Sequence, residues 1–476
     1  MKNFFFLVPI AILLVIQIPH LSLPYFWDEA WSYIPAIRKM AETGPSMLPG
    51  VIPIDYCKGH PQFFFFLSSI WMDLSPDSIL FMRILPLLIS IGVLLVTFFE
   101  LRKFAGIETA NIAILLIGVQ STFLAQSIFI LPEMLLTLLL IVSLFAFLNR
   151  RYLIFAISSS LMVLTKETAI VFTLTFGLYY LISILSKRGK DTFYLGHFIL
   201  LIVPEVIYGM FLLLHYLKFG VFFYADHLSL INLSSTSILE KIGRVMVMVF
   251  SQYGRMLLSL LILITLGLLI ILKKKIQNRN ILILCGLSIV IFMIFTSINS
   301  YSPRYTLGII IMLVIVFSVI FSQLPVHPYL RTGVVAIIAS ICLYYSLTHK
   351  RSIDTDLGYV EVIRVHQEMV RYCEDNNLYD EPISASFNMY YNLHNNELGY
   401  ITSNREFTHI MDWGKYNDAK YLIFESTFND SDSIIQLAKI KYRLVRTFTN
   451  KHAWGYIYEN TNYQESTAIK NNRKVF

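Results

Sequence analysis

The chain has 476 residues, of which 56% are hydrophobic and 14% charged. A soluble globular domain carries about a quarter charged residues, so this composition excludes an ordinary soluble protein. The formal net charge of +7 does not point to nucleic acid, because the basic residues punctuate apolar runs, as the positive-inside rule expects.

The predicted elements, in chain order, are mostly membrane spans of about 20 residues or a little less. The first runs from Phe4 to Ile18, behind Lys2. It lacks a small-residue cleavage site and is expected to be retained. It leads into Tyr25-Phe26-Trp27-Asp28-Glu29-Ala30-Trp31-Ser32-Tyr33, two adjacent carboxylates in an aromatic collar where a span meets water. Ionised groups at that depth are costly unless they have a task or a partner. From Ala30 to Ala41 the apolar residues recur at helical spacing, which predicts an amphipathic surface helix, kinked or late-starting at Pro35 and ended by Gly44-Pro45. Gly44 to Pro61 reads as an extended loop. Gln62 to Trp71 is too short to cross and reads as a second interfacial or re-entrant helix.

Further spans are expected at Ile79 to Phe99, Thr109 to Ile130, Met134 to Leu148, Tyr152 to Leu164, Thr168 to Leu185, Phe193 to Tyr216, Arg255 to Leu272, Ile281 to Ile298, Thr306 to Phe321 and Thr332 to Leu347. Lys218 to Gly254 reads as a long outer segment with surface-helix character. Alternating the spans puts Arg102-Lys103, Arg150-Arg151, Lys187 to Lys190 and Lys273 to Lys275 on the inner side. By the same alternation Lys350-Arg351 is outside, with Arg331 inside. The expected fold class is therefore an all-α polytopic membrane protein of about 11 transmembrane helices, with amphipathic juxtamembrane helices and a small C-terminal α/β extracytoplasmic domain. The expected boundary divides residues 1–350 from 351–476. In the second part Val360 to Glu374 and Ser433 to Lys439 read as helices. Pro382 to Ser386 and Tyr421 to Phe424 read as buried strands, and Tyr442 to Phe448 with Trp454 to Tyr458 as a hairpin.

Four cysteines (Cys57, Cys285, Cys342, Cys373) form no CxxC pair, which argues against a metal or redox centre. Cys57 and Cys373 can share one membrane face, but no framework spacing pairs them.

Alternation gathers Asp28, Glu29, Lys58, His60, Glu133, Lys166, Glu167, Arg304 and Tyr305 on the outer face, from well-separated loops. Each has a structural reading beside the functional one. Asp28 suits a helix N-cap, and Glu29 a helix dipole. Glu133, after Pro132, suits a helix start. Lys166-Glu167 and Arg304-Tyr305 suit interface anchors, and His60 a plain loop histidine. Their coincidence on one face is what points to a site.

With this pattern in hand, the chain resembles the GT-C glycosyltransferases. It is most similar to the dolichyl-phosphate-mannose–protein mannosyltransferase-like family, over residues 1 to about 320, on order and topology. The resemblance implies transfer of a sugar from a polyprenyl-phosphate donor to a protein, lipid or glycan acceptor, with no nucleic-acid partner and with membrane lipid around the spans. It makes Asp28 the catalytic residue with Glu29 beside it. It sets His60, Lys166, Arg304 and Tyr305 at the donor phosphate, and leaves Glu133, Glu167 and Lys58 to orient substrate. Two positions depart from the family's aminoarabinose branch: Trp31 stands where that branch has Arg, and Gly59-His60-Pro61 replaces Glu-Lys-Pro. No spacing demands a cofactor, although clustered outer carboxylates suit a divalent cation such as Mg²⁺. The expected location is the bacterial inner (plasma) membrane, with the site and the C-terminal domain extracytoplasmic. The rivals are a flippase or other transporter of lipid-linked saccharides, a polymerase or ligase acting on them, and a membrane-anchored sensor. A transporter would carry charges at mid-span and broken, repeated helices; here the charges lie at span ends.

Overall fold

A computed structural model describes residues 5–75, 78–185, 195–299, 302–351, 353–403, 405–411, 418–427 and 432–463. Two compact units emerge, described separately below: Met1–Leu21, Ser32–His349 and Thr355–Leu357 form the first, and Ser22–Trp31, Lys350–Asp354 and Gly358–Phe476 the second. The basic residues expected at Lys2 and Lys187 to Lys190 lie outside the described residues.

The helices of the first unit are α1 (Leu7–Gln17), α2 (Ile34–Thr43), α3 (Ile54–Cys57), α4 (Phe63–Asp73), α5 (Ile79–Ala105), α6 (Ile107–Gly118), α7 (Ser121–Gln126), α8 (Pro132–Leu148) and α9 (Tyr152–Thr165). They continue as α10 (Ile170–Leu185), α11 (Leu195–Phe219), α12 (Ala225–Ser229), α13 (Ser235–Phe250), α14 (Arg255–Ile271), α15 (Arg279–Ile298), α16 (Leu307–Phe321) and α17 (Pro328–Thr348). Among the described residues seven helical stretches are long and apolar enough to cross a membrane, and shorter apolar helices at Leu7–His20, Ile107–Gly118, Pro132–Leu148 and Tyr152–Thr165 fill the other expected spans. Phe63–Asp73 is the expected short helix. The predicted amphipathic helix is α2, with Pro35 in its first turn, Ile34, Ile37 and Met40 buried, and Gly44 at its C-cap.

One expected span is interrupted. Thr109 to Ile130 breaks between α6 and α7, at Val119 and Gln120. Backbone groups freed inside a bilayer must find other partners, and here they do. Ser346 Oγ donates to the Val119 carbonyl at 2.9 Å, and Gln120 Nε2 donates to the Leu116 carbonyl at 3.0 Å while its Oε1 accepts from Arg255 Nη1 at 3.3 Å. Arg255 also binds the Met248 carbonyl through Nε at 2.9 Å. Fully buried Arg83 donates to the Ile128 carbonyl at 2.9 Å just beyond α7. These two arginines were not expected to be structural.

The ends of the helices meet as alternation predicts. On one side, Asn149 reaches Glu100 at 3.3 Å, Thr109 donates to Ser322 at 2.9 Å, and Arg331 grips Glu108 with two bonds of 2.7 and 3.0 Å. Apolar tails compete equally with apolar side chains for a helix surface, so packing and polar contacts hold such a bundle. Apolar all round, α16 is its most enclosed span, 89% buried. Gly308 on α16 meets Leu140 and Phe172.

The second unit contains α18 (Tyr359–Asp375), β1 (Ile383–Ala385), α19 (Phe387–His394), β2 (Ile410–Met411), β3 (Tyr421–Glu425), α20 (Asp432–Lys441), β4 (Arg443–Asn450) and β5 (Ala453–Glu459). The sheet order is β2-β1-β3-β5-β4. β1 is parallel to β2 and β3, while β5 runs antiparallel to β3 and β4. Leu422, Phe424, Ala438 and Tyr458 form a small core under α20. Gly455 on β5 is required by the close approach of α18, since a Cβ there would lie 2.2 Å from Met369 Sδ. The expected helices and strands are present. α19 and the two-residue β2 were not expected.

Candidate functional site

In the helical unit the polar residues singled out from the sequence converge. Glu133 lies in the first turn of α8, where Pro132 and an acidic residue favour helix initiation. Lys166 is the extended C-cap of α9, and Arg304 and Tyr305 lie on a 3₁₀ turn feeding into α16. Lys166 Nζ donates to Glu133 Oε1 at 2.7 Å, and Arg304 Nε donates to the same oxygen at 3.1 Å. The Tyr305 ring lies 3.7 Å from Lys166 Nζ and 5.4 Å from the Arg304 guanidinium. All three charged residues are buried: Glu133 is 4% exposed, Lys166 2% and Arg304 6%. Two cations face one carboxylate, and the second carboxylate oxygen, Glu133 Oε2, is buried without a hydrogen-bond partner. The same residues line a cleft whose other walls include Phe172 and Phe292. Two buried cations beside an apolar wall suit an anionic group carried on a lipid.

The next residue extends the cluster. Glu167 Oε2 accepts from His60 Nδ1 at 2.9 Å. Lys58 and Gly59 place His60 there by turning left-handed, with φ of 50° and 73°. Only glycine takes such an angle at no cost, and a Cβ on Gly59 would crowd Tyr224 at 3.3 Å. Lys58 Nζ stands 3.5 Å from the Tyr224 hydroxyl. Tyr33 stacks on the His60 ring at 6.4 Å, and the His227 ring lies 5.0 Å from it on another side. Burial, and then the neighbouring His60, lower the His227 pKa to about 4, so its imidazole is neutral at physiological pH.

Asp28 and Glu29 belong to the second unit. Glu29 is fully buried, and its Oε2 accepts from the Phe26 backbone N–H at 2.9 Å, the reach-back half of a capping box. Asp28 is half-buried, and its Oδ1 accepts from the Trp31 indole N–H at 2.7 Å. A five-residue π-helix, Glu29–Tyr33, follows; π-helical turns recur at functional sites.

The family model for dolichyl-phosphate-mannose-protein mannosyltransferase matches residues 4–220. The structure of ArnT from Cupriavidus metallidurans bound to undecaprenyl phosphate aligns at 13% identity with a TM-score of 0.57, covering 98% of this chain and 100% of that one. Its apo form aligns at 14% identity with a TM-score of 0.55, covering 95% and 97%. The Archaeoglobus fulgidus oligosaccharyltransferase, in complex with Zn and sulfate, aligns at 13% identity with a TM-score of 0.51, covering 97% of this chain and 74% of that one. No curated protein matches.

The fold is GT-C.

A GT-C chain with this many apolar helices is an integral membrane protein, and the family and structural neighbours are glycosyltransferases. Glu133 answers two cations, Glu167 answers His60, and Glu29 and Asp28 accept from N–H donors. Among the described residues no three potential ligands gather. All four cysteines are free and buried, so Cys57 and Cys373 are not bridged. Burial raises the Cys57 thiol.

Sequence reasoning missed His227, Tyr224 and Tyr33. The first two lie in a segment that read only as a surface stretch, and Tyr33 read only as one of the apolar positions of an amphipathic helix.

Proposed function

We propose that this chain is a membrane glycosyltransferase that moves a single hexose or pentose from a polyprenyl-phosphate sugar to an acceptor hydroxyl, with inversion. The acceptor's oxygen attacks the anomeric carbon while the bond from that carbon to the phosphate oxygen breaks. Asp28 takes the hydroxyl proton. The departing polyprenyl phosphate carries the electron pair, and negative charge grows on it. Lys166 and Arg304 sit in a fixed arrangement that requires no reorganisation as that charge appears. His60, held by Glu167, and Tyr305 complete the phosphate surroundings, and Glu29, Glu133 and Lys58 orient sugar or acceptor. The acceptor is a protein, lipid or cell-envelope glycan. The setting is a bacterial inner membrane with the site and the C-terminal unit extracytoplasmic. No step needs a metal.

The observation that carries this reading is the buried group in which two cations share one oxygen of Glu133. It occurs in a fold shared with ArnT, which was solved with undecaprenyl phosphate bound. A carrier phosphate is a ligand that two buried cations side by side suit.

The test uses purified protein, radiolabelled polyprenyl-phosphate sugars and a membrane extract, with identification of the labelled product. Asp28→Asn is expected to lower turnover by about 100- to 10,000-fold while carrier lipid still binds. Arg304→Ala is expected to raise the donor KM by about tenfold or more, as loss of a charge-assisted phosphate contact does. Near-normal turnover in Asp28→Asn removes the base, and an unchanged donor KM in Arg304→Ala removes the phosphate contact.

A further inference from the structure

The base is borne by a segment that the C-terminal unit encloses. Tyr25 N–H donates to the Leu398 carbonyl at 3.0 Å. Phe26 packs against Tyr359 and His366, each with ring centroids 6.4 Å away. Trp27 takes a left-handed φ of 52°, an uncommon angle for a bulky residue, so the chain leaves this anchorage at a sharp and costly bend. Trp31 then lies edge-on to Phe387 at 5.7 Å and tilted against Tyr391 at 6.5 Å.

Phe387 and Tyr391 are four residues apart on α19 and therefore share a face of it. Their rings also pack on each other at 5.2 Å. Asn388 and Asn392, again four apart, serve a different face. Asn388 Nδ2 donates to Thr427 Oγ1 at 2.5 Å and to Glu425 Oε1 at 3.5 Å. Asn392 Nδ2 donates to His366 Nδ1 at 3.1 Å, and His366 Nε2 meets Glu425 Oε2 at 3.1 Å. All five side chains of this network are at least nine-tenths buried. Amides embedded in a matched polar core fix both the rotation and the position of α19. Its other face is then a rigid seat for the Trp31 ring.

We infer that the C-terminal unit positions the catalytic base: Trp31, seated on Phe387 and Tyr391 of α19, orients the Asp28 carboxylate through the indole N–H it donates to Oδ1. This rests on the reading of Asp28 as base. Trp31 is a positioning residue, acting through Asp28 without touching substrate. The N–H donated to Oδ1 narrows the orientations open to the Asp28 carboxylate, and a reacting group must be held to a fraction of an ångström.

The plain alternative is that an indole merely satisfies its polar edge. Two measurements on the full chain in lipid nanodiscs separate these. The first is ¹⁵N-indole NMR, with the Trp31 signal assigned by its loss in Trp31→Phe. Asp28→Asn is expected to shift that signal, and an unmoved signal overturns the inference. The second is steady-state kinetics with a polyprenyl-phosphate sugar. Trp31→Phe keeps a ring in the seat and removes the N–H donor. It is expected to lower kcat about tenfold with the donor KM within about twofold. Wild-type kcat in Trp31→Phe, or a fall in kcat matched by a rise in KM, overturns positioning while leaving Asp28 as base. Turnover retained by Asp28→Asn is the separate failure of the underlying reading, and the positioning inference falls with it.

Discussion

The two units each bury a polar cluster, and the clusters differ in how fully their polar atoms are paired. In the helical unit Lys166 and Arg304 share one oxygen of Glu133, its other oxygen lacks a partner, and a cleft opens beside them. In the C-terminal unit His366, Glu425, Asn388, Asn392 and Thr427 are paired with one another. Burial alone would push the Glu425 pKa up, but His366 and the Thr427 hydrogen bonds outweigh it and hold the group below the ordinary carboxylate value. Buried cations are costly to fold around and persist where groups of opposite sign answer them. A closed network asks for nothing more, and stiffens what it holds.

Substitutions can break or sharpen that contrast. The largest effect is expected from Glu133→Leu, which leaves Lys166 and Arg304 buried with no carboxylate between them. Removing one member of a buried ion pair costs about 3–5 kcal/mol, read as a drop in melting temperature in detergent. Added undecaprenyl phosphate should recover part of that loss if the excess charge serves an anion; no recovery would make the cluster a brace like the other. Glu425→Gln comes next, at about 1–3 kcal/mol, measured by hydrogen exchange across α18 and α19. Its loss should be indifferent to carrier lipid.

The smallest effect concerns His227. Its pKa of about 4 lies below the ordinary histidine value because burial, and then His60, disfavour its charged form. The unfolded chain therefore binds more protons between about pH 6.5 and pH 4. The local contribution is present above the unfolded value and is lost as pH falls through that window. Exchange protection at Tyr224–Leu230 should decline across it, and His227→Asn should flatten the decline. A decline unchanged in His227→Asn would assign it to other groups.

The legible part of the molecule follows from local signals. Apolar runs of membrane length give the spans, and period and turn residues give α2, α18 and the β4–β5 hairpin. The polar residues of the helical unit were legible because each sits at a span end on a single side, where charge is conspicuous against an apolar background. Contacts set by distant chain were not legible. The break at Val119 and Gln120 depends on Ser346 and Arg255, more than 130 residues away in sequence. α19 reads Phe-Asn-Met-Tyr-Tyr-Asn-Leu-His, with aromatic residues and amides on separate faces, so no plain apolar stripe announces it. That the Asp28 segment is a piece of the C-terminal unit is a property of tertiary pairing between residues as far apart as Tyr25 and Leu398, beyond the reach of any window of sequence.

That last feature has a consequence for biosynthesis. Ser22–Trp31 leaves the ribosome before most of the helical unit, yet Leu398, Phe387 and Tyr391 follow only after that unit has been made. Closing so long a loop is slow relative to helix formation. A nascent chain that has made its helices would still lack the partners that fix the Asp28 segment.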